Sequence, residues 1–162
     1  MTTNRSIPAL IAAMALAMTL GACKHSGVAV ASGGQIINID IDAPRTLTES
    51  EETKQLEIEI ANRGVSKLSR LNFDVIMPVE LIVQSQTQSP GVTWTERVTA
   101  GGQKLYHYEV DQVSVGSRAR VTYHINAAYG STGTEGKIEV TAWSDQLPGD
   151  RLIETKSIAV RR

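Results

Sequence analysis

From Gln35 onward apolar and polar residues alternate with a period of two, which constrains this chain's fold more than any other feature. In Gln55-Leu56-Glu57-Ile58-Glu59-Ile60-Ala61, the side chains of Leu56, Ile58 and Ile60 share one face, and Gln55, Glu57 and Glu59 share the other. Such a segment predicts a strand with one dry face and one wet face. The same reading places strands around Ile37, Ile39 and Ile41, around Leu71, Phe73, Val75 and Met77, and around Ala119, Val121, Tyr123 and Ile125. Ile138, Val140 and Ala142 follow, and Ile158 with Val160 closes the chain. No stretch after Gln35 sets three apolar residues at helical spacing with caps, so the prediction is all-β.

Turn residues punctuate these strands. Asn62-Arg63-Gly64 and Met77-Pro78 each end one, and Ala100-Gly101-Gly102 joins Val92–Thr99 to Gln103–Val110 in a hairpin. Tyr129-Gly130 and Leu147-Pro148-Gly149 mark two further corners. Roughly seven to nine short strands at this spacing predict an antiparallel β-sandwich or barrel, and the small apolar sets, which can interleave as two faces, favour the sandwich. Gly64 and Gly116 stand where the chain must reverse at positive φ, and Asn62 is placed to bond its own backbone two residues on.

Length and charge narrow the classes. The 162 residues allow one ordinary domain, and 16 basic against 17 acidic side chains give a net charge of −1. That balance offers no grip on nucleic acid. A single cysteine excludes an internal disulfide framework or a multi-cysteine metal site.

The amino terminus reads differently. Residues 1–22 contain one ionisable side chain, Arg5, ahead of an apolar run from Ile7 to Met18. This is the layout of a secretory signal peptide, too short to span a bilayer comfortably. Leu20-Gly21-Ala22-Cys23 resembles the bacterial lipobox, with the only thiol of the chain in the cysteine position. The resemblance implies that Cys23 becomes the first mature residue, carries diacylglycerol on sulfur and takes a further fatty acyl group, such as palmitate, on its amine. At about 0.8 kcal/mol per buried methylene, two or three acyl chains hold a protein on a membrane durably. Lys24, in place of Asp, favours the outer membrane by the rule for enteric lipoproteins. The expected organisation is a signal peptide over 1–22, a lipidated Cys23 and flexible tether over 23–34, and a β-sandwich over 35–162. Stretched out, His25 to Gly34 would reach roughly 35 Å.

The segments LEIEIANRG, LNFDVIMP, VDQVSVGSRARVTYHI and KIEVTAWSD together resemble the bacterial immunoglobulin-like modules typified by CARDB, the cell adhesion related domain. Asn62, Gly64, Pro78, Gly116 and Ser117 match the turn pattern of those modules. Val115 replaces a usual proline, Arg118 replaces a small residue, and Gln84 to Thr93 reads as a longer Gln- and Ser-rich loop. The resemblance covers about residues 55 to 160 and implies an immunoglobulin-like sandwich. In that order the strand bearing Glu57 and Glu59 lies beside the one bearing Arg118 and Arg120, and cross-strand ion pairs are expected.

The sequence holds no Gly-x-Ser-x-Gly elbow, no His-Glu-x-x-His and no phosphate-cradling glycine loop. No catalytic residue and no cofactor are expected. If a hairpin joins their segments, His107 and His124 form a diagonal pair about 7 Å apart on one face, with Glu109 as a third metal ligand. The alternative, and the expectation, is two solvated histidines and no metal. Asp40, Asp42, Glu49, Glu51 and Glu52 are either a calcium-binding edge or a solvated acidic loop; no Asp-x-Asp-x-Asp-Gly spacing supports the former.

Trp94, Trp143 and Tyr129 are the candidate interface residues, because exposed aromatics carry much of the energy of protein interfaces. The alternative is that each tryptophan caps one end of the core. The sequence therefore points to a non-catalytic, membrane-anchored envelope lipoprotein whose sandwich binds a protein partner or serves a structural role. The alternative function is a periplasmic chaperone or assembly factor that takes extended segments at a sheet edge.

Overall fold

A computed structural model describes residues 25–30, 36–49 and 53–162. The signal peptide and Cys23 lie outside the described residues, as do Glu51 and Glu52. Eleven strands run along the described chain: β1 (His25–Val30), β2 (Ile36–Asp42), β3 (Thr46–Thr48), β4 (Lys54–Asn62), β5 (Leu68–Met77), β6 (Leu81–Gln88), β7 (Val92–Val98), β8 (Lys104–Val113), β9 (Arg118–Ala127), β10 (Glu135–Ser144) and β11 (Leu147–Arg161). They form two sheets, a five-stranded one ordered β1-β2-β4-β9-β6 and a six-stranded one ordered β3-β11-β10-β5-β8-β7. The fold is an all-β sandwich, as the alternation predicts, and immunoglobulin-like, as the resemblance implies.

The alternating residues do what their period requires. Ile37, Ile39 and Ile41 of β2, Leu56, Ile58 and Ile60 of β4, and Val121, Tyr123 and Ile125 of β9 are buried from one sheet. Leu71, Phe73, Val75 and Met77 of β5, with Ile138, Val140 and Ala142 of β10, meet them from the other in a single core cluster. The β7–β8 hairpin closes as expected: the Thr99 N–H donates to the Gln103 carbonyl at 2.8 Å, and Gly102 takes φ +77°.

Several expectations are corrected. The described residues hold eleven strands, not seven to nine, and one pairing is parallel, where β3 meets the end of β11 (Val160 opposite Leu47). The segment read as a flexible tether contains β1, which pairs antiparallel with β2 from His25 opposite Ile41 to Val30 opposite Ile36. The Gln84–Thr93 loop is strand as far as Gln88. Its alternation is hidden because the register shifts between Val83 and Ser85, and the inward positions beyond the shift hold Gln86 and Gln88. Leu147-Pro148-Gly149 opens β11; the chain turns earlier, at Asp145–Gln146.

Asn62 and Gly116 organise one end of the sandwich. The buried Asn62 donates through Nδ2 to the carbonyls of Ser66 (2.9 Å) and Val113 (3.0 Å), and its Oδ1 accepts from the Gly64 N–H at 3.0 Å. Its main chain receives the Gly116 N–H and donates to the Ser117 carbonyl, so one residue ties the β4–β5 connection to the β8–β9 connection. Gly116 has the expected positive φ, +78°, while Gly64 does not and is held by the Asn62 bond.

Candidate functional site

The outer face of the six-stranded sheet carries a cross-strand row that passes from Thr141 (β10) through Asp74 (β5) and His107 (β8) to Thr95 (β7). The next row on that face is Trp143, Asn72, Glu109 and Thr93. His107 is central. Its Nδ1 lies 2.7 Å from Asp74 Oδ1, its Nε2 lies 3.4 Å from Glu109 Oε1, and its ring packs 5.9 Å from the Trp143 ring. The Arg151 guanidinium stacks over Trp143 at 4.3 Å. A cleft of about 130 Å³ opens beside His107, lined by Thr93, Trp94, Thr95, His107 and Glu109.

Both nitrogens of His107 face carboxylates, so neither is directed at a hydroxyl nucleophile. His124 lies in β9 of the other sheet, with its Nδ1 3.1 Å from the exposed Ser85 Oγ. The two histidines therefore do not pair. Residues 114–117 carry the chain from one sheet to the other and do not form a hairpin. Among the described residues, no three His, Cys, Asp or Glu side chains are grouped to hold a metal ion.

The three candidate interface residues occupy different places. Trp143 is half-buried on the outer face and does not cap a core end. Trp94 stands opposite the buried Tyr108, which puts its side chain on the inward side of the edge strand β7. There it packs 6.0 Å from Tyr106 and remains 40% exposed at the open margin of the core. Tyr129 is 98% exposed and lines a separate cleft with Thr48, Glu49, Ile82 and Asn126. The sequence reading missed Asp74 and Arg151; the signal for Asp74 was its polar parity within β5.

On the outer face of the five-stranded sheet, Asp40 and Asp42 stand directly opposite Glu59 and Glu57, like charges that repel. The expected arginines offset them from β9. Arg118 meets Glu59 at 3.0 Å, and Arg120 meets Glu57 at 3.2 Å and Glu59 at 2.9 Å. Burial works to raise the Glu59 carboxyl, but the hydrogen bond from Arg120 and the Arg118 charge outweigh it and hold the carboxyl below its ordinary value. Glu49 is bonded to the Gly130 N–H and the Thr132 hydroxyl.

No protein-family model matches the sequence, and no curated protein is significantly similar to it. Solved structures share the fold. A cohesin module from a Clostridium perfringens family 33 glycoside hydrolase aligns over 76% of this chain and 95% of its own, with TM-score 0.52 and 9% identity. AvmM, which catalyses macrocyclization in alchivemycin A biosynthesis, aligns over 80% of this chain and 89% of its own, with TM-score 0.50 and 12% identity. At these identities the likeness concerns the fold alone.

Proposed function

We propose that this chain is a non-catalytic cell-envelope lipoprotein, anchored through Cys23 and facing the periplasm or cell surface from the outer membrane, whose β-sandwich binds protein. The same fold serves both a cohesin module and AvmM, so the choice between binding and catalysis rests on this chain's own residues. The observation that carries the reading is the surface display of aromatic and cationic groups: Trp143 beneath Arg151 on an outer sheet face, the exposed Tyr129, and Trp94 at the open margin of the core. The turn residues shared with adhesion-related modules and the lipobox-like LGAC sequence support it.

Mass spectrometry of the protein purified from membranes tests the anchor. A mature chain that begins at an acylated Cys23 is expected, and an unmodified Cys23 would remove the anchoring half of the proposal. Substitution of Trp143 and Tyr129 by Ala, followed by capture of cross-linked envelope partners, tests the binding half. Unchanged capture would refute it.

The strand-capturing alternative has one observation in its favour. β6 is an eight-residue sheet edge with no charged side chain.

A further inference from the structure

His107 stands between two carboxylates that one proton cannot satisfy. Its Nδ1 lies 2.7 Å from Asp74 Oδ1, and its Nε2 lies 3.4 Å from Glu109 Oε1. A neutral imidazole carries a single N–H, and its other nitrogen is only an acceptor. Asp74, the closer and less exposed partner, takes that N–H at Nδ1, which leaves the Nε2 lone pair facing the oxygen of Glu109. Two acceptors then confront each other without a bond. A second proton on the ring turns the same contact into a charge-assisted hydrogen bond.

Glu109 has a second cation within reach. One row further along the outer face, opposite Asp111, Arg70 bonds Asp111 at 3.1 Å and lies 3.6 Å from Asp145, and the Glu109 charge also acts on it. The other strands of the sheet set no ionised group directly against the imidazole. β7 places Thr95 opposite His107, with Arg97 in the next row, and β10 places Thr141 and Trp143 on the same face, with Glu139 in that next row. Arg97 and Glu139 are opposite charges at the two ends of their row. Arg151 of β11 is stacked over Trp143. Asp74 and Glu109 are therefore the charges that meet the ring.

We infer that His107 is a proton-operated latch on this face. With its second proton the ring bridges Asp74 and Glu109; without it Nε2 repels Glu109, whose carboxylate turns toward Arg70. Imidazole is the side chain that ordinarily changes charge between pH 5 and pH 8. Acidification across that interval has two effects. It fixes Glu109 on the wall of the cleft that it shares with Thr93, Trp94 and Thr95, and it sets a positive charge beside the Trp143 ring, whose centroid is 5.9 Å from that of His107. The latch belongs to the single chain and works whether or not a partner docks on Trp143.

NMR of the histidine ring nitrogens in the full chain, recorded from pH 8 to pH 5 in detergent, tests the inference, with His107→Gln to assign the signals. At pH 8 His107 is expected to hold one proton, on Nδ1, and at pH 5 a proton on each nitrogen. In Trp94→Phe, which leaves Trp143 as the only tryptophan, the emission should fall over the same interval because an imidazolium quenches a neighbouring indole. His107→Gln in that background should abolish the fall. Glu109→Gln removes the acceptor of the second proton and should lower the midpoint of both signals by roughly 0.2–0.7 pH unit, the worth of an exposed ion pair. Glu59 loses its charge below this interval and does not contribute. Circular dichroism at both pH values reports that each variant is folded. A ring that keeps the same protons at pH 5 and pH 8 overturns the inference. So does a midpoint that Glu109→Gln leaves in place, or an emission change that survives His107→Gln. Acylation of Cys23 and partner capture are read by separate measurements.

Discussion

The hydroxyl of Tyr108 lies 2.7 Å from that of Tyr123, which bonds a strand of the six-stranded sheet to a strand of the five-stranded sheet through the middle of the core. Tyr108 also donates to Gln86, so its oxygen serves two partners while Tyr123 has one. Tyr108→Phe strands both, whereas Tyr123→Phe leaves the Tyr108–Gln86 bond in place. The expected costs are roughly 2–3 kcal/mol for Tyr108→Phe and about 1 kcal/mol for Tyr123→Phe. Urea unfolding of the two variants checks the order.

The same pair sets a limit at alkaline pH. Burial raises both hydroxyls well above their ordinary value of 10.0. The native state then keeps protons that the unfolded chain releases. The resulting stability is complete below pH 10 and is lost as the pH climbs through the higher folded values, at up to about 1.4 kcal/mol per pH unit for each tyrosine. Tyr123→Phe should flatten this slope. A slope unchanged in that variant would show that other groups set the alkaline limit.

At the acid end the sign reverses. Glu59 titrates below its ordinary 4.5 when folded, so its contribution is present above that pH and fades as the pH falls through the depressed value. Glu59→Gln should remove this part of the acid sensitivity. The loss at neutral pH should be small and should shrink further with salt, because Arg118 and Arg120 are half exposed. Unfolding followed between pH 3 and pH 7 at two ionic strengths measures both effects.

Much of this architecture is legible in the sequence because burial follows a period of two wherever one face of a strand is apolar. Leu56, Ile58 and Ile60 are buried and the charges between them face Arg118 and Arg120, as the alternation requires. The pattern fails where the inward side is not apolar. Gln86 points inward and is bonded to Tyr108, so the second half of β6, from Gln84 to Gln88, reads as part of a loop. The site is less legible than the fold. Asp74 and His107 are 33 residues apart, and only the β5–β8 register makes them neighbours. Histidine spacing along the chain cannot tell that β8 and β9 belong to opposite sheets.

Asn62 should be among the most sensitive positions. Its side chain makes three hydrogen bonds to main-chain groups of the β4–β5 connection and the end of β8, all removed together in Asn62→Ala. At about 1 kcal/mol for each bond, a loss of about 3 kcal/mol is expected. Gly116→Ala should cost less, about 1 kcal/mol, because φ of +78° strains any residue with a Cβ while nothing lies within 4 Å of the added methyl. The same cost for both substitutions, in thermal or urea unfolding, would contradict the separate roles given to the bonds and the backbone.

Trp143 and Arg151 form a pair whose worth can be isolated. The guanidinium sits 4.3 Å from the ring centroid at an exposed site, where such contacts contribute about 0.5–1 kcal/mol. A double-mutant cycle with Arg151→Ala and Trp143→Leu should return a coupling of that size. Arg151→Lys should keep only part of it, because an ammonium keeps the charge but loses the planar stacking. Arg151→Ala should also shift the Trp143 emission to the red as water reaches the indole. If a partner docks on this face and takes the place of Arg151, its addition to the wild-type protein should shift the emission without loss of stability. A coupling of zero would mean that the stack orders neither side chain and does not prepare this face for binding.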